Sequence, residues 1–256
     1  YVYDKCNRLR WVISPEGSAQ LVQNSLYTID SDFAKKYCYR YAYGSNGKIC
    51  EKHLPGQDSS ERMSYDEFGR MDSLFTANSE RVSYSYTYDN FGRLSRICAN
   101  VSNGQLLLTR ANFIGEPHLT AGTFDISEYK YDGYDYTGDF VDHEFVAVTG
   151  VVADNDKYDN VCGQKTQEKI YEAFSLTGIR REYLCRTYYY DIRNRIIQTV
   201  ETDYRGNKLR TSYQYDYIGN ILARYEQYNV DAEVTDVRYD YTYDSRGRIT
   251  AENVSI

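Results

Sequence analysis

The sequence has little of what marks several familiar protein classes. Among its 256 residues there are only three Pro, two Met and one Trp. No stretch approaches 18 consecutive apolar residues, so the sequence predicts no membrane-spanning helix. The aromatic residues and the 17 Gly are evenly spread, which excludes a collagen, a coiled coil and a disordered low-complexity tail. A chain of this length can still bury a substantial core.

Motifs of the common catalytic and redox classes are also missing. The sequence has no Gly-x-Ser-x-Gly motif, no phosphate-binding loop and no zinc-protease helix. Its six Cys include no Cys-x-x-Cys, which argues against a zinc ribbon or a redox site. We therefore predict no enzyme activity, no catalytic residue, no cofactor and no metal site. We expect six free thiols, although a disulfide between some pair of them stays open.

Positive charge is scarce too. The net charge is −7 and the pI is near 5.1, which argues against a nucleic-acid partner because phosphate contacts need a basic face. Residues 124–160 carry ten Asp and Glu against two Lys, so the negative charge is concentrated there.

The acidic segment contains two weak candidates for chemistry. Residues 154–159 have Asp159 where a calcium loop needs its sixth-position Gly, so we interpret them as a solvated loop. Asp142, His143 and Glu144 are adjacent, but adjacency does not build a cleft with two opposed carboxylates. We interpret these three as surface charge. The other two histidines, His53 and His118, are interpreted as loop residues.

Tyrosine is what the sequence has in excess, with 30 Tyr against 9 Phe. Tyr favours strands, which predicts an all-β protein. Many of these tyrosines belong to a repeated string, Tyr-x-Tyr-Asp-x-x-Gly-Arg-Leu. Close copies run from Tyr86 to Leu94 and from Tyr241 to Ile249, and looser copies begin at Tyr1, Tyr41, Met63, Tyr188 and Tyr213.

The seven copies keep the same residue types at fixed positions. The second Tyr and the final aliphatic residue occur in all seven, and the glycine position holds only Gly or Asn. The motif residues predicted to be structurally important are Tyr3, Asp4, Asn7, Arg8, Tyr43, Gly47, Tyr65, Asp66, Gly69, Arg70, Tyr88, Asp89, Gly92, Arg93, Tyr190, Asp191, Asn194, Arg195, Tyr215, Asp216, Gly219, Tyr243, Asp244, Gly247 and Arg248.

The motif predicts a β-hairpin with a three-residue loop. The simplest loop of this length is a type I turn followed by a left-handed residue, which explains why only Gly or Asn occupies the last loop position. In the copy around Gly92, this register sets Asp89 opposite Arg93, Tyr88 opposite Leu94 and Tyr86 opposite Arg96. One hairpin cannot bury its own face, so consecutive hairpins are expected to join into a continuing sheet.

The repeated string resembles the signature of the YD-repeat, or RHS, family. Residues 39–43 followed by 51–56, and residues 8–13, are similar to RHS proteins of the Bacteroidetes type. The matching segments cover about residues 1–100 and 183–256. The resemblance implies a strip of antiparallel sheet that spirals into a hollow shell. The family's self-cleaving aspartyl motif has no match in this sequence.

We accordingly predict an all-β fold of repeated hairpins in one continuous, spiralling antiparallel sheet, part of a YD-repeat shell. Residues 1–100 and 187–256 are the repeat hairpins, and residues 101–186 are an irregular acidic β insert within the same shell. In the insert, residues 106–109, 145–148 and 150–152 are expected to be strands. Tyr129–Gly133 is interpreted as a decayed half-repeat. Residues 34–36 and 168–173 are interpreted as short helical turns.

The resemblance also implies a function. The chain is expected to be a non-enzymatic segment of a shell that encloses or presents a C-terminal toxin or effector domain of the same polypeptide, secreted or at the cell surface. Its expected partners are the remaining repeats and that effector domain, with a delivery apparatus or surface glycans as further candidates. The alternative is a cell-surface adhesin or glycan-binding module that uses the Tyr rows. Because the first residues already lie inside a motif copy, we expect the chain to be part of a longer protein.

Overall fold

The protein is described here from a computed structural model. The structure describes residues 1–23, 30–57, 59–76, 82–101, 122–136, 143–174, 181–231 and 233–256. Within these ranges the chain forms sixteen β-strands, two α-helices and one short 3-10 turn. The strands pair antiparallel, and their order in hydrogen bonding follows their order in the sequence. The prediction of an all-β fold built from repeated hairpins is confirmed.

The chain divides into two compact units, and the first comprises Tyr1–Phe124. Its eight strands form seven antiparallel pairs of consecutive strands, as the hairpin pattern predicts. The strands are β1 (Val2–Tyr3), β2 (Leu9–Ile13), β3 (Cys38–Tyr43), β4 (Ile49–His53), β5 (Ser60–Tyr65), β6 (Met71–Phe75), β7 (Val82–Tyr88) and β8 (Leu94–Val101).

Two short helices interrupt the first unit between β2 and β3. They are α1 (Pro15–Gln23) and α2 (Ser31–Tyr37), and α2 confirms the helical turn predicted over residues 34–36. Asp30 caps α2, because its carboxylate accepts a hydrogen bond from the backbone N–H of Phe33 at 2.7 Å. Neither helix has the length and apolar character needed to cross a bilayer.

The second unit comprises Asp125–Ile256. Its strands also pair antiparallel in chain order. They are β9 (Gly122–Tyr131), which begins just before the unit, β10 (Lys165–Phe174), β11 (Arg181–Tyr190), β12 (Ile196–Asp203), β13 (Lys208–Tyr215), β14 (Ile221–Val230), β15 (Glu233–Tyr243) and β16 (Ile249–Ser255).

Two expectations for the insert are wrong. The helical turn predicted over residues 168–173 is part of strand β10, which is paired on both sides, so Glu168 lies between Tyr129 of β9 and Arg186 of β11. Tertiary pairing overrides the local preference there. Residues 145–152 form no extended strand, and Val148 and Val152 make one isolated bridge across a tight turn. The strand predicted over residues 106–109 lies outside the described residues.

The second unit contains a hydrophobic cluster that joins the insert to the sheet. Val152, Tyr189, Ile197 and Val200 form a buried cluster, and Phe145 packs against it. The apolar part of the insert therefore lies on the face of the sheet formed by β11 and β12. The division into three segments at residues 100 and 186 stays a prediction.

Candidate functional site: the ladder of repeat turns

The turns of the seven copies share one geometry. In the fourth copy, the backbone N–H of Gly92 donates to the carbonyl of Asp89 at 2.9 Å, and the N–H of Asp89 donates to the carbonyl of Arg93 at 2.9 Å. These two bonds define the predicted three-residue loop, a type I turn followed by a left-handed residue. The glycine position has positive φ in every copy, at Asn7, Gly47, Gly69, Gly92, Asn194, Gly219 and Gly247.

An aspartate organises most of these turns. One carboxylate oxygen of Asp89 accepts hydrogen bonds from the backbone N–H groups of Phe91 and Arg93, both at 2.9 Å. The other oxygen accepts from Nε of Arg93 at 2.8 Å. The Asp–Arg pair therefore closes its own turn. The same pair forms between Asp4 and Arg8, Asp66 and Arg70, Asp191 and Arg195, and Asp244 and Arg248.

Two copies depart from the motif and replace the missing bonds locally. In the sixth copy Asn220 occupies the Arg position, and its side-chain amide donates to Asp216 Oδ2 at 2.8 Å. In the second copy Gly44 occupies the Asp position. There the side chain of Asn46 accepts from the N–H of Lys48 at 3.0 Å. The turn thus survives the loss of either charge.

The turn hydrogen bonds favour the ionised carboxylates. For Asp4 and Asp244, the backbone N–H of Arg8 or Arg248 is the main cause of a lowered pKa. For Asp66, Asp89 and Asp216, desolvation raises the pKa, but hydrogen bonds from the residue four positions later outweigh it and leave the pKa below the usual value of 3.8.

Acid should therefore weaken the fold through these turns. A group whose pKa is lower in the folded protein stabilises it fully above the unfolded value, and that stability is lost as the pH falls through the folded pKa. We expect the melting temperature to change little through these groups from pH 7 to 5 and to fall below about pH 3.8. Thermal melts across that range measure this. A variant that carries Asp4→Asn, Asp66→Asn and Asp89→Asn should show a shallower fall in melting temperature with falling pH. An equally steep fall would contradict the assignment of this acid sensitivity to the turn aspartates.

A bulge follows every repeat turn, and it corrects the predicted register. Tyr88 pairs with Leu94 as predicted, but Thr87 pairs with Arg96 and Tyr86 pairs with Ile97. Tyr86 therefore does not face Arg96, because the second strand contains one extra residue, Ser95. The same one-residue shift occurs after the turns of all seven copies.

The second Tyr of the motif joins one repeat to the next. The hydroxyl of Tyr88 donates to the backbone carbonyl of Met71, the final aliphatic residue of the preceding copy, at 2.8 Å. We call this contact the tyrosine clamp. It recurs between Tyr43 and Leu9, Tyr65 and Ile49, Tyr215 and Ile196, and Tyr243 and Ile221, at 2.7–2.8 Å.

The cation of the preceding turn lies over the clamp ring. The guanidinium of Arg70 lies 4.5 Å from the ring centroid of Tyr88, and that of Arg195 lies 4.8 Å from the ring of Tyr215. Arg195 also donates to the carbonyl of Asp216 at 3.0 Å, so it bonds both its own turn and the following one. Burial raises the pKa of Tyr88 and of Tyr215, which keeps each hydroxyl a donor.

Removing one clamp hydroxyl should cost measurable stability. Tyr215→Phe is expected to lower the free energy of unfolding by about 0.5–1.5 kcal/mol, because the half-buried carbonyl of Ile196 loses its donor. Tyr217→Phe is the matched control, since Tyr217 is 83% exposed. Urea unfolding of both variants measures the difference. Equal stability of the two variants would show that the clamp contributes nothing.

A further copy of the hairpin is split by the insert. Tyr131 of β9 pairs with Lys165 of β10, and the N–H of Asp132 donates to the carbonyl of Gln164 at 3.1 Å. Gly163 has a φ of 84°, and its N–H donates to the Asp132 carboxylate at 2.7 Å. These positions match those of a complete repeat turn. The segment interpreted as a decayed half-repeat is therefore the first half of a hairpin whose loop has been replaced by residues 133–162.

The clamp extends to this split copy. The hydroxyl of Tyr190 donates to the carbonyl of Lys165 at 2.7 Å, which occupies the position of the final aliphatic residue. Desolvation raises the pKa of Tyr190 to about 12, so this hydroxyl too stays protonated. The insert thus separates the two halves of this repeat in the sequence, but the tyrosine clamp to the next repeat still forms.

The inserted loop is anchored by a buried polar network. His143 is 3% exposed, and its Nδ1 and Nε2 each lie 2.7 Å from a threonine hydroxyl, of Thr187 and Thr202 respectively. Gln198 of β12 bonds both the N–H and the carbonyl of Val146, at 3.1 Å and 2.8 Å. The interpretation of His143 as surface charge is therefore wrong, whereas Glu144 is exposed. Asp142 and His118 lie outside the described residues.

The acidic loop after this network uses its carboxylates locally. Asp156 accepts a hydrogen bond from the N–H of Ala153 at 2.7 Å, and Asp159 pairs with Lys157 at 2.9 Å. Across the described parts of the chain, no three His, Cys, Asp or Glu side chains are grouped so as to hold a metal ion. None of the six cysteines, all of which lie in the described ranges, forms a disulfide.

The sequence reasoning missed one turn of the same kind. Between β12 and β13, Asp203 accepts from the N–H groups of Arg205 and Asn207, both at 2.9 Å, and Gly206 has a φ of 90°. The Asp-x-x-Gly spacing was the available signal, but no Tyr precedes it. His53, interpreted as a loop residue, is instead the last residue of β4.

Among the comparisons with known proteins, only the comparison with solved structures finds similar proteins. No protein-family model matches the chain, and no curated protein matches it. A crystal structure of TcdB2-TccC3 is similar at a TM-score of 0.41 and 15% identity, covering 99% of this chain and 13% of that one. A Photorhabdus luminescens Tc holotoxin pore with the mutation TccC3-D651A is similar at a TM-score of 0.31 and 13% identity, covering 99% of this chain and 17% of that one. This chain therefore spans less than a fifth of the length of each of these two structures.

Proposed function

We propose that this chain is a non-enzymatic structural segment of an RHS/YD-repeat shell, which encloses or presents a C-terminal toxin or effector domain of the same polypeptide. The observation that carries the proposal is the tyrosine clamp. In each unit it joins a hairpin to the one before it through backbone atoms and a fixed motif residue. Contacts of this kind let a sheet grow by addition of repeats, each stabilised mainly by its neighbours.

The motif residues are better suited to holding a shell together than to binding a ligand or catalysing a reaction. Their carboxylates and guanidinium groups are paired with each other inside the turns. The clamp hydroxyls are bonded to backbone carbonyls, which leaves them unavailable to a ligand. We infer that the partners are the remaining repeats and the effector domain, and that the assembly works outside the cell or at its surface. A delivery apparatus and surface glycans are further candidate partners.

Limited proteolysis of the parent polypeptide tests this proposal. The surviving fragments are identified by mass spectrometry, and the protease is applied before and after mild denaturation. We expect a protected C-terminal fragment that co-purifies with the repeats and becomes sensitive when the sheet unfolds. Digestion of the C-terminal region as quickly as any linker would overturn enclosure and would favour the adhesin or glycan-binding alternative.

A further inference from the structure

We propose that the first unit contains a binding pocket for an organic oxyanion, a carboxylate or phosphate carried on a ring-sized group such as an acidic or phosphorylated sugar. The pocket is a cleft of about 390 Å³ over β2, β3 and β4, beside the first repeat turn. That volume is within the range found for sites that bind small molecules. The proposal is independent of the shell proposed above.

The floor of the pocket is a row of three neighbouring side chains. Trp11 of β2 pairs with Arg40 of β3, and Arg40 pairs with His53 of β4. Directly paired residues of antiparallel strands share a face, so the three side chains lie side by side. Nε of Arg40 and Nδ1 of His53 are buried, and neither has a hydrogen-bond partner. The Nε–H of Arg40 is therefore a buried donor that has lost water without gaining a partner, and it is suited to an acceptor from a ligand.

The cleft is positively charged in an acidic protein. Arg8, Arg10 and Arg40 line it, and the one carboxylate that also lines it, Asp4, is held by Arg8 at 2.7 Å. Arg10 and Arg40 therefore keep their charge for a ligand. Guanidinium groups bind carboxylate and phosphate through paired, charge-assisted hydrogen bonds. Glu51 lies nearby and contacts Nε2 of His53 at 3.1 Å, on the side of the ring away from the orphan nitrogen.

Aromatic rings form the rest of the wall and suggest a ring-sized ligand body. The guanidinium of Arg10 lies 5.0 Å from the ring of Trp11, and that of Arg8 lies 4.5 Å from the ring of Tyr43. Aromatic rings beside arginines can pack against the body of a ring-shaped ligand whose anionic group bonds the guanidinium groups. An inorganic anion would use only the arginines.

Trp11 is the sole tryptophan of the chain, so its fluorescence reports on this pocket directly. The intact chain is titrated at low ionic strength with glucuronate, glucose 6-phosphate, glucose and inorganic phosphate. We expect saturable changes with glucuronate and glucose 6-phosphate, binding about tenfold weaker or worse with inorganic phosphate, and no saturable change with glucose.

Variants distinguish the pocket from general charge attraction. Arg10→Gln and Arg40→Gln should each weaken binding about tenfold, whereas Arg246→Gln, at an exposed turn of the second unit, should leave it unchanged. Far-UV circular dichroism checks folding, and the exposed Arg10 variant keeps the test valid if Arg40→Gln does not fold. The proposal is overturned by no saturable change with either organic anion, by equal binding of inorganic phosphate or glucose, or by equal weakening in all three variants.

Discussion

Replacement of Gly92 by Val is expected to lower the free energy of unfolding by about 1–3 kcal/mol, the cost of forcing a β-branched residue into the left-handed region. Gly92 has a φ of 81° at the end of its turn. An added Cβ would also lie 3.0 Å from Nη1 of Arg70, the cation over the clamp ring of Tyr88. That side chain can move, so the backbone accounts for most of the loss. Chemical unfolding of the intact chain measures it.

Two further variants test whether the conformation causes the loss. Gly92→Asn should be nearly neutral, because Asn7 and Asn194 occupy the same position in other copies with φ of 58° and 61°. Gly133→Val should also be mild, since Gly133 lacks positive φ and a Cβ there meets no atom within 4 Å. Asp89→Ala should fall between Gly92→Asn and Gly92→Val. A larger loss for Asp89→Ala than for Gly92→Val would show that the turn is wrongly assigned.

Truncation of Tyr189 to Ala should produce the largest loss, about 3–5 kcal/mol of unfolding free energy. The side chain is 2% exposed, and its ring lies 5.0 Å from that of Tyr134 and 5.3 Å from that of Phe145. Its hydroxyl donates to the carbonyl of His143. The substitution therefore opens a cavity and also removes a buried donor between sheet and insert.

The region that loses protection from hydrogen exchange distinguishes a broken anchor of the insert from a general loss of core packing. Tyr189→Ala should increase hydrogen exchange across residues 143–152 more than across β14 and β15. Tyr189→Phe keeps the ring and should lose about 1–3 kcal/mol, since the carbonyl of His143 is left without its donor. Tyr217→Ala, at an 83% exposed position, should change stability by less than about 0.5 kcal/mol. Uniform exchange throughout the second unit would contradict the anchoring role of Tyr189.

The repeat hairpins were predictable because residues close together in the sequence determine their turns and the first strand pair beside each turn. Asp89, the left-handed position of Gly92 and the pairing of Tyr88 with Leu94 all follow from residues close together in sequence. Helix α1 was predictable in principle too. Ser14 precedes Pro15, and the Ser14 hydroxyl accepts a hydrogen bond from the N–H of Gly17 at 3.1 Å, a recognisable helix start.

The other features depend on contacts that no local pattern records. The bulge at Ser95 changes which residue faces Tyr86, yet Ser is an ordinary residue that carries no bulge signal. Burial of His143 requires Thr187 and Thr202, which are 44 and 59 residues away in the sequence. The clamp bonds of Tyr88 and Tyr215 end on backbone carbonyls, which have no side-chain signature. Pairing of β10 on both sides likewise overrode an apparent helical preference.

Electron microscopy of the full-length parent protein tests the central claim most directly. We expect the repeats to form a wall around an enclosed volume that holds density for a C-terminal domain. Variants with the clamp hydroxyls removed at Tyr65, Tyr88, Tyr215 and Tyr243 should show that wall loosened or open, because each contact joins one hairpin to the next. An open rod with no enclosed volume in the unmodified protein would contradict the proposal that these repeats build a shell.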